Sequence, residues 1–217
     1  MIKTIVFEMD GVLFDTENVG IRAWHQAAEE LRIDNVENII NNCRGLNEEA
    51  TKRYITNFYN GKLDADKCLK LFFKKHQEII DESGVPLKTG VHELLSYLKE
   101  NNYTIALASS TRKELVVNYL KEVNILEYFS VIVTGDMIEK GKPEPDIYLR
   151  ACKEVDKEPK NCIAIEDSFN GIKSAYRANM NVIMVPDVVQ PTEEISKMLY
   201  KKLDTLLDVK EFLMSLN

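Results

Sequence analysis

Apolar and polar residues follow two rhythms along this chain. Ile2-Lys3-Thr4-Ile5-Val6-Phe7 is a short, β-branched, apolar run that predicts a buried strand. Between residues 16 and 85 no segment reads as a strand. Apolar positions there recur at helical spacing, first at Trp24, Ala27, Ala28 and Leu31 and later at Leu69, Phe72, Phe73, His76, Ile79 and Ile80. From Pro86 the pattern changes. Helix-like 91–98 precedes strand-like 103–108, helix-like 114–123 precedes 131–133, 146–155 precedes 162–165, and 170–179 precedes 182–185.

Strands that are apolar throughout and separated by helices of about ten residues indicate a parallel sheet covered on both faces. The first strand must join that sheet, since one strand cannot stand alone. The expected layout is therefore α/β, with a parallel-sheet core formed by residues 1–15 and 86–217 and an all-helical insertion over residues 16–85. In open α/β sheets, ligands bind beyond the carboxyl ends of the strands. The polar residues at those ends are the candidates for chemistry.

The first such end is the most informative. Phe7-Glu8-Met9-Asp10-Gly11-Val12-Leu13-Phe14-Asp15 puts two acids immediately after a strand. In near-extended backbone, residues two apart point the same way, so Glu8 and Asp10 can face one pocket while Met9 packs behind them. Gly11 lets the chain turn away. This block resembles the first motif of the haloacid dehalogenase-like hydrolases, whose usual form is Asp-x-Asp-Gly-Val/Thr. The resemblance implies a Rossmann-like core with a helical cap, an acyl-phosphate on the first acid, and general acid and base catalysis by the second. By position those roles fall to Glu8 and Asp10. Glu8 keeps the usual charge but carries it roughly 1.5 Å further out, and misplacement of about 1 Å can cost on the order of a hundredfold in rate. Binding is expected to survive better than turnover.

Three further elements match the family in order. Ala108-Ser109-Ser110-Thr111 follows an apolar strand. By itself such a run is ordinary helix capping; the resemblance implies that the Ser109 hydroxyl and the Ser110 amide hold the transferring phosphoryl group. Gly141-Lys142-Pro143-Glu144-Pro145-Asp146 fixes a lysine in a turn ahead of a helix. In the family that lysine neutralises charge on the phosphate and the nucleophile. Ile163-Ala164-Ile165-Glu166-Asp167-Ser168 ends another apolar strand in adjacent acids, which in isolation would read as an N-cap. The resemblance implies Mg²⁺ held by Asp167, Glu8 and the carbonyl of Asp10, with Glu166 close or bound through water.

Within the helical segment, Asn42-Cys43-Arg44-Gly45-Leu46-Asn47-Glu48 resembles the loop that selects substrate, with Arg44 and Gly45 as candidate substrate contacts. Mutases of the β-phosphoglucomutase type carry a His shortly after the first motif and an Arg in this loop to grip a second phosphate. Gly20 and Glu48 stand at the matching positions here, and an acid would repel a phosphate, so hydrolysis is favoured over phosphomutase activity. A non-catalytic phosphate- and Mg²⁺-binding relative is the third reading, motivated by Glu8. His25, His76 and His92 lack ligand-like spacing and read as packing or surface residues, Trp24 and Phe72-Phe73 as cap core, and Lys197, Lys201 and Lys202 as a solvated helix face.

Composition narrows the partners. The 217 residues are 45% hydrophobic and 29% charged, ordinary for a globular protein. A net charge of -7 argues against a general nucleic-acid or acidic-membrane binder, and no apolar stretch approaches the ~20 residues of a membrane span. Cys43, Cys68, Cys152 and Cys162 stand far apart, and no signal-peptide pattern precedes the first strand. Reduced thiols in a cytoplasmic protein are expected. The reading is a Mg²⁺-dependent phosphatase for a small phosphorylated metabolite, a sugar phosphate above all, with the oligomeric state open and a monomer compatible.

Overall fold

The computed structural model describes residues 2–216. Its centre is a six-stranded sheet in the order β3-β2-β1-β4-β5-β6. The strands are β1 (Thr4–Phe7), β2 (Thr104–Ser109), β3 (Val131–Thr134), β4 (Cys162–Glu166), β5 (Asn181–Met184) and β6 (Lys201–Lys202), and every neighbouring pair runs parallel. This is a doubly wound order, whose reversal lies between β1 and β4, where ligands sit beyond the strand ends.

Strand periodicity sorts the core into two layers. On one face Ile5, Phe7, Ile105, Leu107, Ile163 and Ile165 pack with α5 (Val91–Glu100), α6 (Lys113–Glu122) and α10 (Leu206–Ser215). On the other, Val6, Ala106, Ala108 and Ala164 pack with α7 (Asp146–Glu154) and α8 (Phe169–Arg177). Alanines on this second face let the helices approach closely. A short α9 (Glu193–Ser196) precedes the edge strand.

That edge corrects one expectation. Lys201 and Lys202 form β6, paired with Ile183 and Met184, and only Lys197 lies next to a helix. A two-residue strand carrying exposed lysines blunts the edge against further pairing, and it is too short to show a period.

Between β1 and α5 the chain forms α1 (Thr16–Leu31), α2 (Val36–Cys43), α3 (Glu48–Phe58) and α4 (Ala65–Ser83). They enclose their own core of Trp24, Ile39, Ile40, Ile55, Cys68 and Leu69. Trp24 stacks on Phe72 with ring centroids 4.5 Å apart, whereas Phe73, expected beside them, is exposed. The two connections to the sheet run side by side: the Asp15 N–H donates to the Pro86 carbonyl at 2.8 Å and the Lys88 N–H to the Leu13 carbonyl at 2.9 Å. The four cysteines are free and buried. Among the described residues, no helix is long and apolar enough to cross a membrane.

Candidate active site

The buried register of β1 delivers Glu8 to the sheet's carboxyl end, where its N–H donates to Ile165 O at 3.0 Å. Met9 is fully buried behind it. Gly11 turns the chain with φ +76, and a Cβ there would run into the Asp167 carboxylate, so this turn admits only glycine. The Asp10 carboxylate is pinned on both oxygens, with Thr16 Oγ1 donating to Oδ1 and Thr111 Oγ1 to Oδ2, each at 2.6 Å.

Beneath Glu8 lies Lys142, 1% exposed. Its ammonium donates to Glu8, to Glu166 Oε1 at 2.6 Å and to the Ala108 carbonyl at 3.3 Å. Tyr148 Oη donates to the same Glu166 oxygen at 2.7 Å. The other Glu166 oxygen accepts from the Asp167 and Ser168 N–H groups and from Ser168 Oγ. Burial alone would lower the Lys142 ammonium, but Glu166 and Glu8 outweigh it and hold the lysine above its ordinary value. Burial pushes Glu8 up to about 7, with Glu166 and Asp10 adding to the shift and Lys142 opposing it. One cation is thus shared between two buried acids and cannot fully compensate both.

Asp167, also buried, faces the site, and burial raises its carboxyl well above the usual range, with Glu166, Glu17 and Glu8 contributing. A pocket this rich in desolvated acid suits a hard divalent cation. Mg²⁺ takes one or two protein carboxylates and fills its remaining positions with water and phosphate. Glu8, Asp167 and the Asp10 carbonyl fit that donor set. Among the described residues no three Asp, Glu, His or Cys side chains form a ready cage. Glu166, read as a second ligand, has both oxygens engaged by Lys142, Tyr148 and the turn amides, and it does not line the cavity. Its place is that of the lysine's counterion.

The hydroxyl run and the cap loop meet here. Ser109 ends β2 fully buried, with Oγ accepting the Thr111 N–H at 3.2 Å. Ser110 and Thr111 line the cavity, and Ser110 Oγ donates to the Gly45 carbonyl at 3.0 Å. Asn170 Nδ2 donates to the Arg44 carbonyl at 2.9 Å, so both residues of the cap loop are fastened to the core through their backbones. The Arg44 guanidinium pairs with Glu17 at 2.8 Å, and Glu48 pairs with Arg112 and Lys52. Burial lifts Glu17 to about 7 against the pull of Arg44.

Together these elements surround a cavity of about 470 Å³. Glu8, Asp10, Asp167, Ser110 and Thr111 form its polar end; Trp24, Leu69, Phe72, His76 and Tyr119 lie on its walls. Sequence reasoning missed Thr16, Thr111, Glu17, Tyr148, Tyr119 and the cavity position of His76. Thr16 and Thr111 each lie within a few residues of a recognised motif, a proximity signal; Tyr148, Tyr119 and His76 sit in helices whose apolar pattern hides them.

The family model described as haloacid dehalogenase-like hydrolase matches residues 5–185. A β-phosphoglucomutase of Bacillus subtilis is 31% identical over 189 residues, covering 84% of this chain and 83% of that protein. A phosphorylated carbohydrates phosphatase of Thermotoga maritima is 28% identical over 181 residues, 83% of each. Among solved structures, β-phosphoglucomutase from Clostridium difficile superposes with a TM-score of 0.82 at 27% identity, covering 99% of this chain and 96% of that one. CbbY from Rhodobacter sphaeroides, solved in complex with phosphate, has a TM-score of 0.79 at 26% identity, covering 96% of each.

Proposed function

The chain belongs to the haloacid dehalogenase-like hydrolases, and we propose that within this family it is a Mg²⁺-dependent phosphatase of small phosphorylated metabolites, sugar phosphates above all, working in the cytoplasm. The observation that carries the reading is the convergence of Glu8, Asp10 and Asp167 in one cavity, with Lys142 buried against Glu8.

The steps follow from these side chains. The Glu8 carboxylate attacks phosphorus, the P–O bond to the alcohol breaks, and Asp10 donates a proton to the departing oxygen. Asp10 then takes a proton from water, which attacks the acyl-phosphate, releases inorganic phosphate and restores Glu8. Lys142 balances negative charge at the nucleophile, and Glu166 with Tyr148 keeps it in place. Glu8, Asp167 and the Asp10 carbonyl would hold Mg²⁺, whose charge would neutralise the phosphoryl oxygens. Thr16 and Thr111 orient Asp10, and the fastened Arg44-Gly45 loop excludes water.

Transfer within a bisphosphate is disfavoured. Gly20 and Glu48 line the cavity, and Arg112, which could meet a second phosphate, is spent on Glu48. One observation favours a second reading, a phosphate binder that turns over slowly: residue 8 is Glu where the family's usual motif has Asp, which sets the carboxylate about one methylene further out.

Phosphate release from p-nitrophenyl phosphate and a sugar-phosphate panel, with and without Mg²⁺, for this chain and for Glu8→Asp tests both. A gain of about a hundredfold in the aspartate variant is expected. Equal, measurable rates would remove the placement argument. No release by either would leave the binding protein.

A further inference from the structure

The cavity is of two characters. Beyond the acids and hydroxyls of its polar end, its walls carry Ile21 from α1, Leu46 from the cap loop, Phe72 and Phe73 from α4, and Leu115 from α6. None of the five is fully buried, and Phe73 is 40% exposed. Phe73 tilts against Phe72 at 60° with ring centroids 5.2 Å apart, and Phe72 in turn stacks on Trp24. A single exposed apolar side chain is ordinary, but a group of them around one concave surface marks a ligand site.

The polar groups among these walls are already committed. Gln77 Nε2 donates to Asp81 Oδ1 at 2.7 Å, and Thr51 Oγ1 donates to the Asn47 carbonyl at 3.0 Å. Among the described residues, the Lys and Arg side chains that line the cavity are Arg44 and Arg112, and both are paired, with Glu17 and Glu48. Burial holds the His76 imidazole below its ordinary value and so uncharged near pH 7. A second phosphate or a carboxylate on the alcohol half would therefore meet no free countercharge. A bare sugar would give up water for apolar surface that offers its hydroxyls few partners. A flat uncharged ring loses little hydration and gains contact with the walls. The volume of about 470 Å³ falls within the span of pockets that take drug-sized molecules.

Building on the phosphatase reading, we propose that the apolar end of the cavity is a ring-binding subsite: the alcohol half of the phosphomonoester is a sugar or sugar alcohol bearing a flat, uncharged aromatic ring, which lies against Phe73 on the cap side and Leu115 on the core side while the phosphate occupies the polar end. Sugar phosphates without such a ring fill only part of the cavity.

Calorimetric affinities in the presence of Mg²⁺, measured on the Glu8 chain, test this by comparing D-ribose 5-phosphate with two esters that add a ring to a five-carbon alcohol, adenosine 5′-monophosphate and riboflavin 5′-phosphate. At least one ring-bearing ester is expected to bind about fivefold tighter or more, the weight of one base–aromatic stack. In Phe73→Ser, a change at an exposed position, that advantage should shrink about threefold or more. Leu115→Ala, on the core side, is the second variant and should act in the same direction. Neither ring-bearing ester binding tighter than D-ribose 5-phosphate, an advantage undiminished in a folded variant, or a parent chain that binds none of the three would refute the subsite. Failure of Glu8→Asp to release phosphate would sink the phosphatase reading alone, since the affinities do not depend on turnover.

Discussion

Gly171 lies so close beneath the Glu166 carboxylate that a Cβ on it would overlap both oxygens. The glycine in the first turn of α8 therefore gives Glu166 the space from which it reaches Lys142 and Tyr148. Gly171→Ala should displace that carboxylate and cost about 2 kcal/mol in urea unfolding, in the range of overpacked cores. It should also cut turnover in the Glu8→Asp background, although residue 171 touches no substrate. Unchanged stability would mean that Glu166 relocates freely.

Lys142 is the common cation for two buried acids, and deleting it leaves both uncompensated. Lys142→Met should lose about 3–5 kcal/mol near pH 7. Because Glu8, already raised to about 7 by burial, can then escape only by protonation, the deficit should shrink as the pH falls toward 5. Urea midpoints at the two pH values check this, and a deficit independent of pH would contradict the assignment.

Glu17 offers a second pH signature. Burial lifts its carboxyl from an ordinary 4.5 to about 7 in the folded protein. Between those values the native state keeps a proton that the unfolded chain has lost. This contribution is fully present below about 4.5 and disappears as the pH climbs through 7, so stability should decline across that window. Glu17→Gln, which can still accept from Arg44, should flatten the slope by on the order of 1–3 kcal/mol in unfolding free energy. An unaltered slope would place Glu17 in contact with water.

Asp10→Asn separates proton transfer from architecture. The amide oxygen can still accept from one threonine, so thermal stability should change by about 1 kcal/mol or less. Turnover in the Glu8→Asp version should drop about a hundredfold or more, the usual worth of a general acid and base. Phosphate release and Mg²⁺ titration by calorimetry distinguish the two, with metal affinity expected to persist if, as proposed, Asp10 meets the metal through its backbone carbonyl.

The sheet, the interruption by helices and the strand ends that carry acids were legible because each is a local pattern. The central positions of β1, β2 and β4, among them Ile5-Val6-Phe7, Ile105 to Ala108 and Ile163-Ala164-Ile165, are continuously apolar, and their shortness and alternation with helix-length segments mark them as strands buried on both faces. Glu8, Asp10 and Asp167 could be placed at one cavity since loops beyond such strands have one place to go, whereas Ser109 and Lys142 are buried and do not line it. Folding settled how the charges divide. Two acids at adjoining strand ends, Glu8 and Glu166, compete for the one ammonium of Lys142, and the outcome rests on a glycine at 171 and a tyrosine at 148 that no motif marks. The exposure of Phe73 and the pairing of Lys201 and Lys202 with β5 belong to the same class. Hydrogen bonding, burial and edge pairing are set by residues distant along the chain, which a local period cannot encode.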